Sequence, residues 1–201
     1  MKIVVGLGNP GREYVGTRHN VGWEVLDRLA RRLGWTRRDD EFDRLARTKF
    51  DGLAMDGPAG LERMLLLKPT TFMNLSGRAV QAAASFFQLT PKDCLIVLDD
   101  VALPTGRLRL RGSGSSGGHN GLKDVERALG TDAYPRLRVG VDAPPQRVPQ
   151  RDYVLGKFTD AQWSALEPTV DRACDAVLTW AEKGLEAAMN KFNVAADEPK
   201  K

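Results

Sequence analysis

Two cysteines and two histidines are all that this 201-residue chain has of the side chains that most often hold transition metals. Cys94 opens the apolar run "CLIVL" and Cys174 lies on an apolar helix face. They read as buried thiols in a reducing compartment, not as a disulfide framework. No Cys/His cluster has ligand spacing in the sequence, so no metal is expected. Long apolar runs are missing too. Nothing approaches the roughly 18 apolar residues of a membrane span. The N-terminal "MKIVVGLGNPG" has one lysine and a short apolar run cut by glycines and a proline, which reads as a strand and not as a signal peptide. Nor is one sign of charge in large excess: 30 Lys plus Arg face 26 Asp plus Glu, for a net charge of +4. That balance permits a polyanionic partner without demanding one, so position has to decide.

What is present is an ordinary globular composition, 42% hydrophobic and 28% charged. The length suits one domain with a sizeable core, read as residues 1–193, followed by a polar tail over 194–201. "KIVVGL" (2–7), residues 44–50, "ERMLLLK" (62–68), "CLIVLDD" (94–100) and "LRVGVD" (137–142) read as strands. "RLRLR" (107–111) alternates strictly, as a half-exposed strand does. Apolar residues at Val21, Val25, Leu26, Leu29, Ala30 and Leu33 have helical spacing, with Asn20 as N-cap and Gly34 as stop. Further helices are read at about 74–88, at 121–129 and across about 160–190, with Pro168 as a break or restart. Alternating strands and helices point to an α/β three-layer sandwich, a mixed twisted sheet flanked by helices.

Two motifs suggest chemistry that their context does not support. "GLGNPG" (6–11) matches a dinucleotide-binding fingerprint. Pro10, however, lacks an N–H where phosphate-binding amides are wanted, and the next helix starts about ten residues late. "GSSGG" (114–118) matches a nucleophile elbow around Ser116. In hydrolases of that fold the histidine comes last in the chain, and none follows His119. A triad of His19, Asp99 and Ser116 in another order stays open, as does a non-catalytic RNA-binding protein.

Function in open α/β sheets gathers beyond the C-terminal ends of strands. Three such ends deliver Asn9; Phe72, Met73 and Asn74; and Asp99 with Asp100. His19 adjoins a helix N-terminus, which favours neutral imidazole. A neutral imidazole can take a proton from water, and a carboxylate such as Asp99 can hold its other nitrogen. Arg107, Arg109 and Arg111 share one strand face, a candidate phosphate ladder.

The segments "GLGNPGREYVGTRHNVGW", "LLKPTTFMNLSG", "VLDDVALPTGRLRLR", "SGGHNGLKDV", "YPRLRVGV" and "DYVLGKF" resemble, in order and spacing, the bacterial peptidyl-tRNA hydrolase family, over nearly the whole chain. The resemblance implies hydrolysis of the ester joining a peptide to the 3′ end of tRNA, by a monomeric cytoplasmic enzyme with no cofactor. It implies His19 as general base, Asp99 as its support and Asn9 as a contact to the peptide side. It implies Tyr14, Phe72, Asn74 and Asn120 as substrate-binding residues, with Met73 and His119 lining the same cleft. Arg111 and Arg138 fall where relatives bind the tRNA backbone or its 5′ phosphate. The glycine-rich loop before Asn120 is then a flap over the tRNA end. Family members often carry an acidic residue where this chain has Ala102, which leaves any second carboxylate role in doubt.

Overall fold

In the computed structural model, which describes residues 1–194, the apolar run after Met1 forms β1 (Lys2–Gly6) at the centre of a seven-stranded mixed sheet. Helix α1 (Val21–Arg32) follows, then the one-turn α2 (Phe42–Leu45), β2 (Arg47–Lys49), β3 (Gly52–Ala59) and β4 (Glu62–Pro69). Next come α3 (Ser76–Phe86), β5 (Cys94–Asp100), β6 (Leu108–Arg111), α4 (Asn120–Leu129) and β7 (Arg136–Gly140). Three helices close the chain: α5 (Gln150–Leu155), α6 (Asp160–Lys183) and α7 (Leu185–Phe192). The strand order is β2-β3-β4-β1-β5-β7-β6, and β4, β1, β5 and β7 run parallel. Their carboxyl ends therefore share one edge.

Alternation along the central strands makes two cores. Val4, Leu66, Leu95 and Val97 face α1, α6 and α7; Ile3, Val5, Leu65, Leu67, Ile96 and Leu98 face α3 and α4. The expected sandwich is thus observed as one mixed sheet with helices on both faces. Both cysteines are free and buried, and burial pushes each thiol up to about 12.

Four expectations need correction. Strand β3 was not anticipated, because Gly52, Gly57 and Pro58 read as turn residues. A Cβ on Gly52 would lie 2.5 Å from the Lys68 carbonyl oxygen, and one on Gly57 would lie 2.8 Å from the Trp35 ring. β2 pairs only with residues 52–54, so Pro58 lies where β3 is an outer strand and no ladder donor is needed on that side. The strand expected over 44–50 shrinks to Arg47–Lys49 because α2 occupies residues 42–45. Pro168 does not break α6. It lies on the exposed side of the helix, where the freed carbonyl can be solvated, and the break falls at Gly184 with φ 85°. Asn20 precedes α1 but makes no side-chain cap, since its amide is used elsewhere. Of the polar tail read over 194–201, residues 195–201 lie outside the described residues.

Candidate active site

Gly6 and Gly8 of "GLGNPG" serve close packing. A Cβ on Gly6 would meet the Gly22 carbonyl oxygen of α1 at 2.3 Å, and one on Gly8 would meet the Trp23 indole at 2.6 Å. With α1 seated this close to β1, the 3-10 turn Arg18–Asn20 is pressed against the strand ends, and His19, Asn20 and Arg18 are all buried.

Asn20 then clamps the chain beyond β1. Its Oδ1 accepts from the Asn9 backbone N–H at 2.9 Å, and its Nδ2 donates to the Asn9 carbonyl at 3.0 Å. The Asn9 side chain accepts in turn, through Oδ1, from the Met73 backbone N–H at 2.8 Å. That bond turns the Asn9 Nδ2 group away as a donor. One helix-leading turn, one strand end and the turn after β4 are thereby locked together.

His19 Nδ1 lies 2.8 Å from Asp99 Oδ1, and His119 Nε2 lies 3.1 Å from the same oxygen. Asp99 is 3% exposed. Burial by itself would raise its pKa, but attraction to the two imidazoles and their hydrogen bonds outweighs it and holds the carboxyl below the usual aspartate range. With Nδ1 of His19 donating to this carboxylate, its Nε2 carries the lone pair.

His119 is the N-cap of α4, its Nδ1 accepting from the backbone N–H of Gly121 at 3.1 Å and Leu122 at 3.3 Å. Those donors assign the proton to Nε2, which gives it to Asp99. His19, Asp99 and His119 bring three ligand-type atoms within 4.8 Å of one another, which sequence spacing did not suggest. All three atoms are engaged in hydrogen bonds, and a cation there would need His119 to give up its cap.

These groups line a cleft of about 800 Å³ at the carboxyl edge of the parallel strands. Asn9, Tyr14, His19, Phe72, Met73, Asn74, Asp99, His119, Asn120 and Arg138 all border it, so ten of the eleven expected site residues converge. Phe72 is 56% exposed, a wide apolar surface at the mouth. Arg111 is not in the cleft. It lies exposed on β6, directly opposite Arg136, while Arg109 lies opposite Arg138. Directly opposed residues point to the same face, so four arginines share one face of β6–β7. Two of them are engaged. Arg138 pairs with Asp100 at 3.0 Å and donates to the Ser115 carbonyl at 2.9 Å; the fully buried Arg136 donates to the carbonyls of Gly114 and Asp132. The glycine-rich loop is therefore pinned at two carbonyls by β7. Arg109 and Arg111 make no ion pair among the described residues. Ala102 is exposed, and its backbone N–H caps Asp100 Oδ1 at 2.9 Å.

Ser116 borders the cleft but makes no side-chain hydrogen bond to either histidine; its carbonyl accepts from the His119 N–H at 3.1 Å. The serine-triad alternative thus has no base in contact with its nucleophile. Sequence reasoning missed the clamp by Asn20, the buried Arg136 and the staple formed by Arg18. Arg18 stacks on Tyr153 at 4.1 Å and donates to the carbonyls of Tyr153, Gly156 and Lys157. Nothing local marks the Asn20 and Arg18 roles, because their partners lie in other segments of the chain, and the Gly114 contact of Arg136 is likewise distant.

The peptidyl-tRNA hydrolase family model matches residues 3–201. The chain belongs to the peptidyl-tRNA hydrolase family. Among curated members of the family, the peptidyl-tRNA hydrolase of Desulfitobacterium hafniense is 46% identical over 193 residues, covering 96% of this chain and all of that protein. The one from Rhodopirellula baltica is 43% identical over 196 residues, covering 98% and 99%. The fold agrees with the family as well. The crystal structure of peptidyl-tRNA hydrolase from Acinetobacter baumannii superposes with a TM-score of 0.86 at 33% identity, covering 97% of this chain and 95% of that one. A peptidyl-tRNA hydrolase complexed with N-propanol gives 0.87 at 32%, covering 98% and 97%. The resemblance read from the motifs is borne out, and so is the α/β fold that it implied. Among the described residues no helix is long and apolar enough to cross a membrane.

Proposed function

We propose that this chain hydrolyses the ester between a peptide, or an N-blocked amino acid, and the 3′ end of tRNA, with His19 as general base and Asp99 as its support. Residues 1–193 act as one catalytic unit, a monomer working in the cytoplasm. The observation that carries the reading is the His19 Nδ1 to Asp99 Oδ1 bond at 2.8 Å at the wall of the cleft. It leaves Nε2 as a proton acceptor beside a carboxylate that stabilises the imidazolium formed in the transition state.

The steps balance simply. Nε2 takes a proton from water as the water oxygen bonds to the ester carbonyl carbon. The Asn9 Nδ2 group, free because Oδ1 is tied to Met73, and the Asn74 amide are the donors for the oxyanion. Losing one such donor typically costs about 100- to 1000-fold in rate. Collapse breaks the carbon–oxygen bond to the ribose, and the departing alkoxide takes the proton back from Nε2. An alkoxide leaves an ester more readily than an amine leaves an amide, so direct water attack suffices without a covalent enzyme intermediate. Phe72 offers apolar surface to the substrate end, and Asn120 and Tyr14 add polar contacts at the cleft wall.

The arginine face of β6–β7 supplies the nucleic-acid side. Like charges directly opposite one another are unfavourable, so a phosphate beside Arg109, Arg111 and Arg138 relieves repulsion as well as adding attraction. Phosphate contacts carry little sequence information, which suits an enzyme that accepts many tRNAs. The test is release of an N-acetylated amino acid from tRNA by wild type, His19→Ala and Ser116→Ala. Loss of about 100-fold or more in His19→Ala with retained tRNA binding is expected, and Ser116→Ala should remain active. Equal activity of wild type and His19→Ala refutes the base assignment.

A further inference from the structure

His119 has a place in this site that substrate contact does not explain. Its side chain is 9% exposed, its ring centre is 4.9 Å from that of His19, and both of its nitrogens are engaged. On one side it closes the N-terminus of α4; on the other it donates to Asp99 Oδ1, the oxygen that also serves His19. Backbone N–H donors at Nδ1 draw electron density from the ring and make Nε2–H a stronger donor, as in any hydrogen-bond chain.

We propose that His119 is a positioning residue that acts on His19 through Asp99, an inference that rests on the general-base reading of His19. By taking a share of the charge on Oδ1, it limits how strongly that oxygen draws a proton onto His19. By fixing Asp99 from the α4 side, it also fixes the direction in which His19 is held. The helix-capping bond makes the donor permanent: His119 cannot turn Nε2 away without exposing two orphaned amides at the start of α4. The other charged groups around Asp99 are committed elsewhere. Asp100 pairs with Arg138 of β7, and the Arg18 guanidinium is spent on carbonyls of the 153–157 segment. From α5, Arg151 borders the cleft as an exposed residue, and Tyr14 borders it from the turn after β1. Among the described residues, His119 is thus the remaining side-chain donor to the carboxylate besides the base.

The scarcity of histidine makes the experiment direct. With only two in the chain, a His119 variant of the untagged protein has a single imidazole, and its NMR signal is that of His19. His119→Asn keeps an oxygen that can cap α4 but is too short to bridge to Asp99. His119→Gln reaches far enough to restore the donor and gives up the cap. The titration midpoint of His19 is expected to rise in His119→Asn by about half to one pH unit, roughly half of what one hydrogen bond to a charged group is worth, because the effect reaches His19 only through Asp99. The acid limb of kcat/KM on N-acetylaminoacyl-tRNA should move with it. His119→Gln should bring both back toward wild type. An unchanged or lower midpoint in His119→Asn overturns the proposal, and so does an equal rise in both variants, which assigns the effect to the ring and not to the donor. Should His119→Asn fail to fold, a full rise in His119→Gln alone overturns it. Activity surviving in His19→Ala would sink the general-base reading while leaving the titration result in place, so the two failures are distinguishable.

Discussion

Replacing Asn20 by alanine tests whether the site is held by the clamp on Asn9. In the wild type both backbone groups of Asn9 are paired by one side chain that is 2% exposed. Alanine leaves an N–H and a C=O buried without partners, at about 1–3 kcal/mol each. Partial entry of water favours the lower half of that range, so a loss of roughly 2–4 kcal/mol is expected. For a chain of this size that lowers the melting temperature by roughly 5–15 °C. The rate should suffer beyond stability, because Asn20 sets the spacing between the His19 turn and the Asn9 amide. A misplacement on the order of 1 Å costs about 100-fold. The assay is thermal unfolding together with kcat and KM on N-acetylaminoacyl-tRNA, at a temperature where both proteins are folded. The expected split is a lower kcat with KM much less affected. Asn20→Asp sharpens the test: one oxygen can still accept from Asn9 N–H, but the other, when ionised, faces the Asn9 carbonyl. Its instability should ease as the pH falls below the carboxylate range, because the protonated group can donate. An Asn20→Ala protein that melts within about 2 °C of wild type and keeps its kcat refutes the reasoning.

Two further outcomes follow from the charges. Asp99→Asn should lower kcat by about 100- to 10,000-fold while the protein still binds tRNA, since the carboxylate both orients His19 and offsets its charge. The folded-state pKa of Asp99 lies below its unfolded value, so its contribution to stability is present above about pH 4 and is lost as the pH falls through the folded value. The stability gap between wild type and Asp99→Asn should therefore shrink as the pH falls below about 4; a gap that keeps widening below that pH contradicts the assignment. Arg111→Ala should weaken tRNA binding without changing the chemical step and should reduce the slope of log affinity against log salt by about 1. An unchanged slope removes Arg111 from the phosphate ladder.

The sequence made the parallel strands legible because they are buried on both faces. "CLIVLDD" has no polar position before its end, and β5 spans the same residues, Cys94–Asp100. "RLRLR" was equally readable, because Leu108 and Leu110 are buried while Arg109 and Arg111 are exposed. The strand β3 was not, because its composition answers to neighbours far along the chain. Gly57 makes room for Trp35, and the Pro58 carbonyl accepts from the Trp35 indole at 3.2 Å. The same division runs through the site. Asn9, Asn74 and Asp99 stand at or just beyond strand ends, where the strand-end rule finds them; His19 is marked by the helix start it adjoins, and Asn120 by the family resemblance alone. How they hold one another did not follow, because a side chain that satisfies a local rule can be spent elsewhere. Asn20 sits where a helix cap belongs yet clamps Asn9, and His119, an uncommon cap, closes α4. Caps, clamps and staples use the same few donors, and only the distance between chain segments decides which partner takes them. That is why residue types at this site could be read from the sequence, whereas the proton positions that give His19 a free lone pair needed the fold.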